Sequence, residues 1–244
     1  MSADVQEKLR VKGYALVLAD RLDIGEELRA FEEGLAKEWE NLEVDGYLKG
    51  GARFRERRYD RFSFLPRTGE VTLQPHRPYF QSSTANPYAG GIQREVAGLT
   101  ASTLDNPLLK SLIVFNFEQF PVAPELLDQH WEVACHQFRI IGSAAELGEP
   151  TPEGPHHDDV DFGAIHLMSR SNVAGGGSQV YDLSKELIAE FCLESRLDTM
   201  YWDDRRLLHA VHPITAADDR EVAVRDVLIL GYRHAPELGA PDAD

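Results

Sequence analysis

Two cysteines, Cys135 and Cys192, are all that 244 residues contain. That is too few for a disulfide framework, and a protein that keeps its thiols reduced is the natural reading. Long hydrophobic runs are missing too, since no stretch approaches the roughly 20 apolar residues needed to cross a bilayer. The opening MSADVQEKLRVKG carries charges where an export signal needs an apolar run. Both shortages lead to the expectation of a cytoplasmic protein with no membrane partner. Positive charge is the third shortage. Against 41 Asp and Glu stand 25 Lys and Arg, a formal charge of −16. A field of that sign repels phosphate backbones and anionic lipid, so nucleic acid is not an expected partner either. It also means that a small anionic ligand needs a locally basic pocket.

What the sequence does hold is enough apolar material for a core, 43% of residues, and a length that suits one domain over residues 1–244. The spacing predicts a short helix over 5–11 closed by Gly13, a strand over 14–18, and one amphipathic helix over 24–39 with Leu28, Phe31, Leu35 and Trp39 on a face. Short strands and long loops are expected over 46–80, helix over 93–109 and a buried strand over 112–117. Further strands are expected over 132–141, 162–169, 178–181, 199–202, 206–212 and 222–232, with one helix at 184–192. The tail from about residue 234 reads as flexible. Helices followed by many strands make an α+β chain, and a double-stranded β-helix accommodates it. The expected architecture is therefore a jelly-roll, cupin-like core with N-terminal helices packed on one side.

The segment Pro155-His156-His157-Asp158-Asp159 carries the chemistry. Residues two apart in an extended segment face the same way, so His156 and Asp158 can reach one metal ion. His157 and Asp159 offer the same spacing, and the residues alone leave that register open. Two imidazoles and a carboxylate on one face of an octahedron suit Fe(II), Mn(II) or Zn(II) and leave positions free. A second imidazole is available from His209, in the apolar stretch Leu207-Leu208-His209-Ala210-Val211. Arg225 lies in Val224-Arg225-Asp226-Val227-Leu228-Ile229-Leu230, where a buried guanidinium requires an anion. Taken singly, each has a plain structural reading: a charged turn, a core histidine, an arginine paired with Asp226 or Glu221. The combination in this order is what points to a site.

That order, HxD, a later His and then Arg, resembles the Fe(II)/2-oxoglutarate-dependent dioxygenases. More narrowly, it resembles the bacterial L-isoleucine hydroxylase group of free-amino-acid oxygenases. Supporting pieces are Tyr79-Phe80-Gln81-Ser82, Asp105-Asn106-Pro107-Leu108, His136-Gln137-Phe138-Arg139, His166-Leu167-Met168 and Arg225-Asp226. The lead-in Pro152-Glu153-Gly154 is similar to the family's approach to its first ligand and favours His156 and Asp158. The resemblance implies an iron(II) ion held by His156, Asp158 and His209, 2-oxoglutarate gripped by Arg225, and O₂ as co-substrate. It implies release of succinate and CO₂, and oxidation of an aliphatic C–H bond on a small amino-acid-like substrate. The retained Asp158 implies that halogenation is not the outcome.

An amino-acid substrate brings a carboxylate that needs a cation. Arg139, on the strand before the metal segment, is the first candidate, with Arg55, Arg57 and Tyr59 next and Phe80 as a wall for an aliphatic side chain. Gln137 and Arg139 should share one face of their strand, with His136 and Phe138 on the other. His136 and His166 read as structural. Hydroxylation is the expected outcome, and desaturation or cyclisation uses the same cofactors. Outside this chemistry stand a cupin-like Zn(II) isomerase or hydrolase, against which Arg225 argues, and a silent 2-oxoglutarate sensor, against which the intact triad argues.

Overall fold

A computed structural model of the protein describes residues 2–84, 86, 88–143 and 145–239. Its helices are α1 (Ser2–Lys12), α2 (Glu26–Arg29), α3 (Glu32–Lys37), α4 (Ala101–Asp105) and α5 (Pro107–Phe117). The strands are β1 (Tyr14–Val17), β2 (Glu43–Val44), β3 (Arg55–Leu65), β4 (Glu70–Leu73), β5 (Trp131–Gly142), β6 (Phe162–Ser171) and β7 (Val173–Gly175). They continue as β8 (Ser178–Tyr181), β9 (Leu187–Phe191), β10 (Thr199–Asp203), β11 (Leu208–Val211), β12 (Ile214–Ala216) and β13 (Ala223–His234). The large sheet runs β1-β10-β6-β13-β5-β3-β2, with β4 beside β3. Smaller sheets β11-β8-β9 and β12-β7 face it, and every pairing is antiparallel. This is the expected jelly roll with helices against one side.

Two-residue alternation decides which side is which. Phe62, Phe64, Trp131, Val133, Cys135, Leu228, Leu230 and Tyr232 face the helices and join Leu108, Leu109, Leu112, Ile113 and Phe117 in the main core. The intervening residues of β3, β5 and β13 face the cavity between the sheets.

Several sequence expectations fail, among them helix over 93–100, which is irregular apart from a backbone bridge between Arg94 and Tyr79. Residues 112–117 are not a strand but the second half of α5. Asn106 caps that helix, accepting from Leu108 N, and Pro107 sits in its first turn. The less buried face carries Val114 and Phe115, as apolar as the buried one, so the run shows no polarity period that separates helix from strand. Residues 184–192 form no helix. Asp182 Oδ1 accepts from the backbone of Ser184 and Glu186 to close a turn, and β9 pairs back on β8. The single helix over 24–39 is broken into α2, α3 and a 3₁₀ turn, leaving Phe31 exposed while Leu35 and Trp39 are buried. In the tail, residues 234–239 are held in place: Ala235 N donates to His130 O, and His234 Nε2 meets Gln129 Oε1. The rest of the expected flexible tail lies outside the described residues.

Candidate metal and co-substrate site

The cavity is walled by alternate residues of the central strands: Arg55 and Arg57 from β3, Ala134, His136, Phe138 and Ile140 from β5, and Arg225, Val227 and Ile229 from β13. The segment carrying His156 closes over it. His156 and His209 form an isolated antiparallel bridge, each backbone N–H donating to the other's carbonyl at 3.1 Å. That bridge brings the two imidazoles together, with ring centres 4.5 Å apart.

One ligand atom each from His156, Asp158 and His209 lies within 4.8 Å of the others. His156 Nε2 is 3.4 Å from Asp158 Oδ1, and His209 Nε2 is 3.4 Å from Asp158 Oδ2. Both imidazoles thus turn Nε2 inward. His156 Nδ1 donates to Gly154 O at 3.0 Å, which leaves the Nε2 lone pair for a metal. Burial works to raise the Asp158 carboxyl, but the two imidazoles outweigh it and hold the group well below the usual carboxylate range. Burial alone would depress His156; the hydrogen bond and charge of Asp158 push it up to about 9. His157 is turned out to the Asp204 carbonyl, and Asp159, at φ 61°, accepts from Ser82 Oγ. The shifted pair is therefore not assembled.

Asp204 organises this segment from behind. Its carboxylate accepts from Asp158 N at 2.9 Å, Val160 N at 3.3 Å and Trp202 Nε1 at 3.0 Å, and stands 3.9 Å from His209 Nδ1. Trp202 itself lies against the His209 ring at 4.8 Å, in space that Gly163 leaves open. A Cβ on Gly163 would meet the indole at 2.1 Å.

Two cationic ends flank the His156, Asp158 and His209 group. At one, Arg225 is 1% exposed, and its Nε and Nη2 have no partner. Burial and the nearby Arg170 push its guanidinium down to about 10, still charged at neutral pH. Unpaired guanidinium nitrogens inside a cavity fit a carboxylate ligand. At the other end Arg55 and Arg57 share one carboxylate, Asp45, which sits 2.8 Å from Arg55 Nη2 and 3.5 Å from Arg57 Nη1, and Arg94 lines the same cavity. Arg57 Nη2 also donates to His136 Nδ1 at 3.0 Å. Because arginine only donates, His136 is neutral with its proton on Nε2. Burial and Arg57 together hold it well below its usual range. Arg94 donates to Gln81, and the Nε atoms of Arg57 and Arg94 are unpaired. Tyr79 lies under both guanidinium groups. Three arginines against one aspartate leave this end positive inside an acidic protein.

Of the residues singled out in the sequence, His156, Asp158, His209, Arg225 and Arg57 line one cavity. Arg139 does not. It shares a strand face with Gln137 as expected, but that face lies away from the cavity, and both arms of its fork bind Asp226 at 2.8 Å. Phe80 is also misplaced: it is 56% exposed, while its neighbour Tyr79 forms the wall. Tyr59 stands one layer back, stacked on His136 at 4.5 Å. His166 is structural, as read, whereas His136 belongs to the cavity. Arg94 and Glu153 were not singled out as site residues. Arg94 sits in an irregular segment with no period to read, and only its backbone pairing with Tyr79 brings it inward.

A family model described as 2OG-Fe dioxygenase matches residues 36–231. L-isoleucine-4-hydroxylase of Bacillus thuringiensis is 29% identical over 197 residues, covering 80% of this chain and 79% of its own length. The 3(1)-hydroxy-L-isoleucine 4-dioxygenase of Pantoea ananatis (strain AJ13355) is 28% identical over 233 residues, covering 93% and 89%. A crystal structure of a bsmA homolog from Methylobium petroleophilum PM1 superposes with a TM-score of 0.85 at 30% identity, over 96% of this chain and 95% of that one. The convergent His/Asp/His group and the unpaired Arg225 are the parts this chemistry needs, and the chain belongs to the 2OG-Fe dioxygenase family.

Proposed function

We propose that the protein is a single-domain cytoplasmic hydroxylase of a free aliphatic L-amino acid such as isoleucine, leucine or valine. In this reading His156, Asp158 and His209 hold the iron, and Arg225 holds the far carboxylate of 2-oxoglutarate. As a 2OG-Fe dioxygenase the enzyme uses iron(II), 2-oxoglutarate and O₂. Bound together, these supply the oxidant that takes hydrogen from an unactivated C–H bond, with release of succinate and CO₂.

The chain's own work is to bind, orient and keep water out. The observation that carries the reading is a single cavity joining three convergent ligand atoms to unpaired buried guanidinium groups on either side. One cationic end suits the co-substrate. The other, around Arg57 and Arg94, suits the carboxylate of a second small acid, the role first given to Arg139. Phe138, Met200, Trp202, Val227 and Ile229 line the space between and suit an aliphatic side chain. The names of the two enzyme relatives support an isoleucine-like substrate.

The test is succinate formation with Fe(II), ascorbate and 2-oxoglutarate across the standard amino acids and their amides. Aliphatic L-amino acids should stimulate it and amides should not. Stimulation by none of them, or equally by amides, rules the reading out. Asp158→Ala should abolish both iron binding and turnover while preserving the far-ultraviolet circular dichroism; retained iron would remove the assigned ligand set.

A further inference from the structure

Glu153 has no role in the reaction as described so far. It sits on the cavity wall three residues before His156, with its side chain only 7% exposed. Its one ion pair among the described residues is with His156, whose Nε2 is 3.5 Å from Glu153 Oε1, and no hydrogen bond among them reaches its carboxylate. That contact is lost when His156 serves a metal. Nδ1 already donates to Gly154 O, so an Nε2 that gives its lone pair to a cation has no proton left for Glu153. Nor does Glu153 join the ligand group, which consists of His156, Asp158 and His209. With His156 serving a metal, the Glu153 carboxylate faces the cavity with no hydrogen-bond donor from the protein among the described residues, open to one from a ligand.

The opposite wall supplies the context. Arg55, Arg57 and Arg94 exceed the single Asp45 in charge, and the field of Glu153 reaches Arg94 and Tyr79 across the cavity. Guanidinium groups over Tyr79 and a carboxylate whose field reaches the same ring fit a ligand that carries a carboxylate and an ammonium on one carbon. We infer that Glu153 holds the ammonium group of the substrate, so that the site reads both charges of a zwitterion rather than its carboxylate alone. This rests on the amino-acid reading above. It explains why an acidic residue is kept beside an acidic metal ligand, and it makes Glu153 a specificity residue that rejects N-acylated and deaminated analogues.

The experiment compares kcat/KM for the preferred aliphatic L-amino acid with that for its 2-hydroxy acid, which keeps the side chain and carboxylate but has no ammonium. Succinate formation is followed in the iron-loaded wild type, Glu153→Gln and Glu153→Asp. Wild type should favour the amino acid by about ten-fold or more, the worth of one charge-assisted hydrogen bond. Glu153→Gln should lose that preference, chiefly through KM for the amino acid, while iron content and KM for 2-oxoglutarate stay as in wild type. Glu153→Asp should keep part of it. A preference that survives in Glu153→Gln, or an equal fall for both substrates, refutes the assignment while leaving the amino-acid reading intact. Should Glu153→Gln not fold, wild type alone decides, since equal kcat/KM for the two acids excludes ammonium recognition. If no aliphatic amino acid is turned over by wild type, the broader reading fails and this one with it.

Discussion

A guanidinium shut away from water must find an anion, and Arg225 and Arg139 meet that demand in opposite ways. Arg139 has met it within the fold, through two hydrogen bonds to Asp226. Arg225 has not, and that difference is what supports the proposal that it holds the co-substrate. Arg225→Ala should raise KM for 2-oxoglutarate by about ten-fold or more, since one charged hydrogen bond is worth roughly 1.5–3 kcal/mol. An unchanged KM would assign the co-substrate to another base. Arg139→Ala should instead strand the buried Asp226 carboxylate and lower unfolding stability by about 1–3 kcal/mol, with KM for the amino acid little altered. Urea unfolding alongside kinetics separates the two effects. The pair His156 and Asp158 was legible because its spacing is local, and His209, which the structure brings beside it, because histidines are scarce in the chain. It could not say which of several arginines had partners, because Asp226, Asp45 and Gln81 become neighbours only after folding. Arg139 was misjudged for that reason: its strand was right and its outward face was not visible.

At the scale of elements, strands were more legible than helices. Strands β5, β6, β8, β10 and β13 fall close to their expected ranges: β8 alternates buried and half-buried residues, whereas β6 and β10 are buried on both faces and read as short continuous apolar runs. Helix α5 was half lost because its apolar residues have no polar face to set a period of 3.6. The Asn106-Pro107 pair was the available signal, a cap followed by a residue suited to the first turn. Asn106→Ala should lower stability by about 1 kcal/mol, read as a drop in the thermal midpoint with kcat unchanged. No drop would mean that packing alone fixes where α5 begins.

For the whole molecule, acid sensitivity has a buried source. Tyr201 OH donates to Asn116 Oδ1, Asn116 Nδ2 to His166 Nε2, His166 Nδ1 to Thr199 Oγ1, and Thr199 to the Leu197 carbonyl. Every donor in this chain has its acceptor, so a second proton on His166 would confront the Asn116 amide. Burial accordingly pushes His166 down to about 3 from an ordinary 6.5. A base whose folded pKa is depressed binds its proton first in the unfolded chain. Its contribution to stability is complete above about pH 6.5 and is lost as pH falls towards 3, at up to about 1.4 kcal/mol per pH unit. His166→Gln should be less stable at pH 7 yet show a shallower decline between pH 6.5 and 4 in urea titrations. Parallel slopes would place the acid sensitivity elsewhere.

Strand β13 lies in the middle of the large sheet, between β6 and β5, although it is the last strand in the chain. A ribosome releases β5 and β6 long before the strand that joins them exists. Until residues up to 234 have emerged, the nascent chain holds two half-sheets with open edges and no Arg225. A chain cut short before β13 would carry His156, Asp158 and His209 without Arg225, and would leave those edges free to pair with another copy.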